Sequence, residues 1–279
     1  MTVTKKAYGK VNLFLSVGAL RADGRHDVEN VMCRAGIYDT VTVCTSKNGI
    51  AVDCEGVKLL SNEDNLAYVA AKKYIDKYGI SGGVDIRIEK RIPVKAGMAG
   101  GSTDCAATLS AMNEIFGKAT DYELVQIASE IGADVPFFLY DRPIMLGRGT
   151  GTELSSFPEL KQELYGLFVT HGHKQSTGAM FSLLDQTRKG DLVQKDAEKL
   201  RLALDNGALD EILAEMHNDF EICTEHFEQI KTMLCENGAR RVLLSGSGPT
   251  VFGIYESEET ARAAACVVPY PCFVCKIGI

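Results

Sequence analysis

The stretch IPVKAGMAGGSTDCAATL, residues 92–109, constrains the fold of this chain more than any other. It sets Gly97, Gly100 and Gly101 between two runs of different period. Before it, residues 83–94 carry Val84, Ile86 and Ile88 at period two, which reads as a strand. After it, an alanine-rich run from about 103 to 116 reads as a helix that Ser102 or Thr103 caps and Gly117 stops. Glycines between a strand and a helix N-terminus let backbone amides approach an anion, and the helix dipole favours negative charge there. The same glycines also suit a plain strand-to-helix turn. The lysine that completes G-x-x-x-x-G-K-[ST] is missing, so a phosphate held here needs its cation from another part of the chain.

The rest of the chain alternates strands and helices. Residues 8–15 (YGKVNLFL) have period two, with Tyr8, Lys10, Asn12 and Phe14 on one side, and RADGRHD follows as a connecting loop. Strand-like pieces lie around 31–37 and 39–45, and residues 65–78 form a helix closed by Gly79. A second helix spans about 122–131. Beyond SSFP at 155–158 the pattern restarts with a strand at 165–170, helices across 176–186 and 196–236, strands at 241–244 and 251–255, a helix at 258–267 and a strand at 273–276. The reading is α+β with two domains, 1–158 and 159–279.

Length and charge limit the function. A chain of 279 residues, 46% of them hydrophobic, can bury a sizeable core. Its net charge of −7 argues against a nucleic acid partner, which calls for surplus Lys and Arg. No apolar run approaches the roughly 20 residues of a membrane helix. MTVTKKAYGK lacks the apolar core of a signal peptide, so a cytoplasmic protein without membrane partner is expected. Nine cysteines fit reduced thiols better than a disulfide framework, and Cys272 and Cys275, a lone C-x-x-C, read as strand thiols.

Several residues stand out chemically. Lys10 lies inside an apolar strand, where it either reaches solvent along its stem or meets an anion. Asn12 points the same way. Asp134 in IGADVPFFL is a helix cap ahead of Pro136 or a carboxylate that orients a hydroxyl. SGSG at 245–248 is a tight connection or a second backbone cradle. His171 and His173 have a spacing possible for a metal, but no third ligand is evident, and no metal site is expected from them.

Taken in order, AYGKVNLFL, RADGRHD, IPVKAGMAGGSTDCAA, IGADVPFFL and LLSGSGPTVF resemble the galactokinase, homoserine kinase, mevalonate kinase and phosphomevalonate kinase superfamily, and the resemblance runs essentially end to end. STGAMFSLLD and HNDFE resemble the branch of it whose acceptor is a cytidine-diphosphate-linked alcohol. The resemblance implies a two-lobed small-molecule kinase fold, with a left-handed strand-helix-strand N-terminal domain and a ferredoxin-like C-terminal domain. It implies ATP with Mg²⁺. A monomer or homodimer is expected. By position the resemblance implies Lys10 and Asp134 as the catalytic pair. Pro93, Ala96, Gly97, Ala99, Gly100, Gly101, Ser102, Thr103 and Asp104 fall on the phosphate loop, and Asn65 near the adenine. Asn12, Arg25, His26, Thr177 and Phe181 fall on the acceptor side, with His26 reading the cytosine and Phe181 stacking on it. The family's D-G-Y-H is D-G-R-H here, with Arg25 in place of tyrosine, so a kinase of the same superfamily acting on another alcohol stays open.

Overall fold

The computed structural model describes residues 1–56, 62–172, 176–188 and 194–279. In chain order its elements are β1 (Thr2–Leu20), β2 (His26–Ser46), β3 (Ile50–Glu55), α1 (Leu66–Tyr78), β4 (Gly83–Glu89), α2 (Gly100–Phe116), α3 (Asp121–Ile131), β5 (Ile144–Arg148), β6 (Glu153–Ser156) and β7 (Leu164–Thr170). There follow α4 (Thr177–Arg188), α5 (Glu198–Asn206), α6 (Leu209–Glu215), β8 (His217–Asn218), α7 (Phe227–Glu236), β9 (Arg241–Leu244), β10 (Thr250–Tyr255), α8 (Glu258–Ala265) and β11 (Cys272–Ile277). Among the described residues no helix is long and apolar enough to cross a membrane.

Two compact units emerge, and both draw on β1 and β2. The first comprises 1–9, 37–94 and 99–141; the second comprises 10–36, 95–98 and 142–279. In the first, β4 pairs antiparallel with the end of β2, Thr40 opposite Glu89 to Ser46 opposite Gly83. It pairs parallel with β3, Ile50 opposite Val84 to Glu55 opposite Glu89. A parallel pair needs a crossover, and α1 supplies it. Val41, Val43, Ile86 and Ile88 pack against Ala67, Ala70 and Ala71 of α1 and Ala106, Leu109 and Met112 of α2. The alanines let the helix backbones come close. Tyr74 donates to Asn113 Oδ1 (2.8 Å), whose side chain also bonds both backbone groups of Ala119.

In the second unit β11, β7, β10 and β9 lie side by side, each antiparallel to its neighbour. Strands first, second, third and fourth in the chain thus take the spatial order 4-1-3-2, with helices between the first and second and between the third and fourth. That is the ferredoxin-like arrangement. Leu167, Val169, Val242, Leu244 and Val251 bury one face under Phe227, Ile230 and Leu234 of α7 and Ala261 and Ala264 of α8. Phe168, directly opposite both Phe252 and Phe273, stacks with each ring at centroid distances of 5.5 and 4.9 Å. The beginning of β2 pairs with β5, Asn30 opposite Gly147, and β1 pairs parallel with β8, Phe14 opposite His217 and Leu15 opposite Asn218.

Three sequence expectations change. The two pieces at 31–37 and 39–45 are one strand, because β2 changes partners along its length and so has no single buried face. The helical stretch 196–236 breaks at Gly207, which ends α5 at φ 78°, and again at β8. Helix α2 begins three residues before its expected start, at Gly100, so neither Ser102 nor Thr103 caps it.

Candidate active site

The glycine loop is a sequence of positive-φ backbone positions: Lys95 at 58°, Gly97 at 79° and Ala99 at 57°. Two of the three are not glycine, and each such residue stores on the order of 1–3 kcal/mol of strain. Ala99 is the N-cap of α2 and gives no side-chain cap. The first amide to close onto the helix is Thr103 N, to Ala99 O (2.9 Å), so the amides of Gly100, Gly101 and Ser102 precede the intrahelical ladder. No acidic side chain lies in the first turn to meet the dipole. An uncapped, glycine-lined helix start with no counter-charge of its own is suited to an anionic ligand.

Asp104, one turn in, faces inward. Its Oδ2 accepts from Lys90 Nζ (2.8 Å), and Lys90 also donates to Asp39 Oδ2 (2.5 Å). The other oxygen of Asp39 accepts from Arg91 N (2.5 Å) and Ile92 N (2.8 Å), which fixes the chain just ahead of Pro93. Burial, reinforced by the Asp39 charge and only partly offset by Lys90, raises the Asp104 carboxyl from the ordinary 3.8 to about 7. Burial pulls Lys90 down, but the two carboxylates outweigh it and hold the ammonium above its ordinary value. Glu221 is also raised to about 7, mainly by burial.

A carboxyl raised on folding binds more protons folded than unfolded between its two pKa values, so stability falls as pH climbs through that window. Thermal midpoints are therefore expected to decline from pH 5 to pH 7, and Asp104→Asn to flatten the decline. A slope unchanged in Asp104→Asn, followed by circular dichroism, would count against a neutral Asp104 at low pH.

In the second unit Lys10 is buried, 4% exposed, so its ammonium does not reach solvent along the strand. It donates to Asn12 Oδ1 (2.9 Å), which also accepts from Gly246 N (2.8 Å). Two donors on one oxygen fix the orientation of the Asn12 amide, whose nitrogen donates to Asn30 Oδ1. The main chain of Lys10 is engaged too, its N–H bonding Met98 O of the glycine loop (3.1 Å). SGSG is a tight turn: Gly248 N bonds Ser245 O (2.9 Å), and Ser245 Oγ donates to Gly97 O (3.1 Å). Lys10, Asn12, Gly97 and this turn therefore come together, although Asn12 and Gly246 are 234 positions apart and Gly97 and Ser245 148.

The acceptor-side positions divide. His26 and Phe181 stack directly on each other, centroids 5.1 Å apart and planes at 21°. A base needs about 3.5 Å on each side, so none fits between these rings as placed. His26 Nε2 lies 3.1 Å from both oxygens of Asp185, and Phe181 sits edge-on to Phe220. A carboxylate only accepts, so Nε2 is the donor in this contact. Arg25 is exposed in the turn joining β1 to β2, its N–H on Asp23 Oδ1 (3.1 Å). Thr177 is exposed at the start of α4.

Two remaining positions belong to the first unit. Asn65 is the N-cap of α1, its Oδ1 accepting from Ala67 N (2.9 Å). Asp134 is half-buried in the turn before a short 3-10 helix, Pro136–Leu139, whose N-cap is Val135 without a side-chain cap; Asp134 is not the capping residue. Among the described residues no three His, Cys, Asp or Glu side chains could hold a metal together. His171 packs on Tyr270 and His226, while His173 lies outside the described residues. Asn30, Asp39, Lys90 and Asp185 went unmarked in the sequence. Of these only buried polarity inside a strand, at Asn30 and Asp39, offered a signal.

The model for the GHMP kinases N terminal domain matches residues 65–142, and that for GHMP kinases C terminal matches residues 191–272. The chain belongs to the GHMP kinase family. A 4-diphosphocytidyl-2-C-methyl-D-erythritol kinase of Syntrophotalea carbinolica is 38% identical over 265 residues, 93% of this chain and 91% of that one. The protein of the same description from Syntrophus aciditrophicus is 34% identical over 267 residues, 94% of this chain and 93% of that one. A crystal structure of 4-(cytidine 5'-diphospho)-2C-methyl-D-erythritol kinase superposes with a TM-score of 0.84 at 29% identity, covering 99% of this chain and 100% of that chain. This GHMP kinase is thus a small-molecule kinase with ATP as its phosphoryl donor.

Proposed function

We propose that the protein transfers the γ-phosphoryl group of ATP to the tertiary 2-hydroxyl of 4-diphosphocytidyl-2-C-methyl-D-erythritol, a step of the non-mevalonate isoprenoid pathway. The observation that carries this is the near end-to-end similarity, at 34–38% identity, to relatives described as that kinase.

Phosphoryl transfer asks a protein mainly for positioning and for neutralisation of charge on the moving group. The amides from Ala96 to Ser102 hold the ATP phosphates at the start of α2, whose hydrogen-bond ladder begins with Thr103 N, with Pro93 setting the chain direction into the loop and Asn65 near the adenine. Asp134 orients the acceptor hydroxyl and accepts its proton. Lys10 neutralises charge on the transferring phosphoryl group. Mg²⁺ takes most of its ligands from phosphates and water, and one or two from protein oxygens. The Ser102 hydroxyl, in the first turn of α2 where no acidic side chain lies, fits that demand; Asp104, two residues on, turns to Lys90 instead. When bound, the cation supplies further charge neutralisation on the β- and γ-phosphates. Asn12, Arg25, His26, Thr177 and Phe181 serve the acceptor side, Asn12 through Lys10. The protein works in the cytoplasm as a monomer or homodimer.

The test is ADP release with ATP, Mg²⁺ and one candidate alcohol at a time. Turnover is expected with the cytidine-diphosphate-linked alcohol, and not with mevalonate or homoserine. Clear turnover with another alcohol and none with the cytidine compound would overturn the assignment. Within it, Asp185→Asn is expected to raise KM for the cytidine substrate about tenfold with little change in kcat, as for a group that acts on binding alone. An unchanged KM would remove His26 and Asp185 from cytosine recognition.

A further inference from the structure

We infer that Asn218, in the short strand β8, is a positioning residue for Lys10. Its side chain is 1% exposed and fully used: Nδ2 donates to Leu244 O (2.7 Å) and Gly246 O (2.8 Å), and Oδ1 accepts from Phe220 N (3.0 Å). The two carbonyls bracket Ser245, so one amide group grips the start of the Ser245–Gly248 turn from one side. From the other side Gly246 N donates to Asn12 Oδ1, the oxygen that receives the Lys10 ammonium.

Asn218 also belongs to the framework that carries Lys10. Leu15 of β1 pairs with Asn218 itself, and the next residue, Asp219, accepts from Val17 N (2.6 Å). The dipeptide Asn218–Asp219, at the end of β8, therefore ties both the strand that carries Lys10 and the turn that holds its partner. Gly246 leaves little slack, since a Cβ there would meet Gly97 O at 3.0 Å and Lys10 Nζ at 3.6 Å. Without the Asn218 donors, the buried Leu244 and Gly246 carbonyls lose their partner, the turn shifts, and Asn12 no longer holds the ammonium in place. The effect falls on the rate of transfer and not on ATP affinity.

This inference rests on Lys10 acting at the reaction centre, and a double-mutant cycle separates the two. Asn218→Ala is expected to lower kcat about tenfold or more, as small displacements of a catalytic group do. KM for ATP should stay within about twofold, as for an interaction made only in the transition state. In a Lys10→Met background, with its residual rate, the same change should cost almost nothing, because the group it positions is gone. An equal fold-loss in both backgrounds overturns the inference and leaves Asn218 a structural residue. Normal turnover of Lys10→Met alone overturns the role of Lys10, and this inference with it. Should Asn218→Ala not fold, Asn218→Ser, which can still donate to one of the two carbonyls, goes through the same cycle with the same criteria.

Discussion

Asp134→Asn is expected to fold, to bind ATP with nearly unchanged affinity, and to turn over at least about a hundredfold more slowly. Asparagine keeps the shape of the side chain and its capacity to accept a hydrogen bond, but it cannot take a proton. Asp134 is not the N-cap of the 3-10 helix that follows, so the substitution removes no cap. The neighbouring Val135, Pro136 and Phe137, all buried, keep the turn in place. The loss therefore belongs in kcat. Single-turnover quench measurements isolate the chemical step, and calorimetry gives the ATP dissociation constant. Turnover within a few-fold of the parent would take Asp134 off the acceptor hydroxyl.

How much of this could be read in the sequence depends on whether a feature is local. The glycine loop is local: three glycines between a period-two run and an alanine-rich run specify a strand, a turn and a helix. What the pattern misses is that α2 starts at Gly100 behind a left-handed Ala99. Alanine is a helix former, and nothing in its side chain announces a positive φ. Lys10 is legible as an anomaly, a charge in an apolar strand, and its burial agrees. Its surroundings are not legible, because Asn12, Asn30, Asn218 and Gly246 meet only when β1, β2, β8 and the turn before β10 are assembled. A buried asparagine in HNDFE reads as turn chemistry, since its two carbonyl partners lie 26 and 28 residues away. The same holds for Lys90, whose partners Asp39 and Asp104 are 51 and 14 residues distant. In the second unit the strand order 4-1-3-2 depends on which strands pair, and no run of hydrophobicity encodes that. Edge strands β3 and β6 went unseen for another reason: they are short, and neither contains a fully buried residue.

Gly97→Ala is expected to reduce kcat/KM for ATP by about a hundredfold or more, because displacing a positioning loop by about 1 Å can cost that much. An added Cβ would lie 2.2 Å from Ser245 O and 2.9 Å from Gly248 O, both backbone atoms that cannot rotate aside. The loop must then move away from the turn that bonds Asn12. Gly117 supplies the control, since it too has positive φ (60°), but nothing lies within 4 Å of a Cβ built there. Gly117→Ala should therefore cost about 1 kcal/mol of stability through backbone strain alone, with kinetics unchanged. The two variants share the dihedral penalty and differ in the clash. If their kinetics match, the close approach of Gly97 to the turn has no functional weight. If only Gly97→Ala fails, the absent side chain at 97 sets the distance between the phosphate loop and the turn that holds Lys10 through Asn12, and the missing loop lysine is explained by a cation fixed from the opposite direction of the chain.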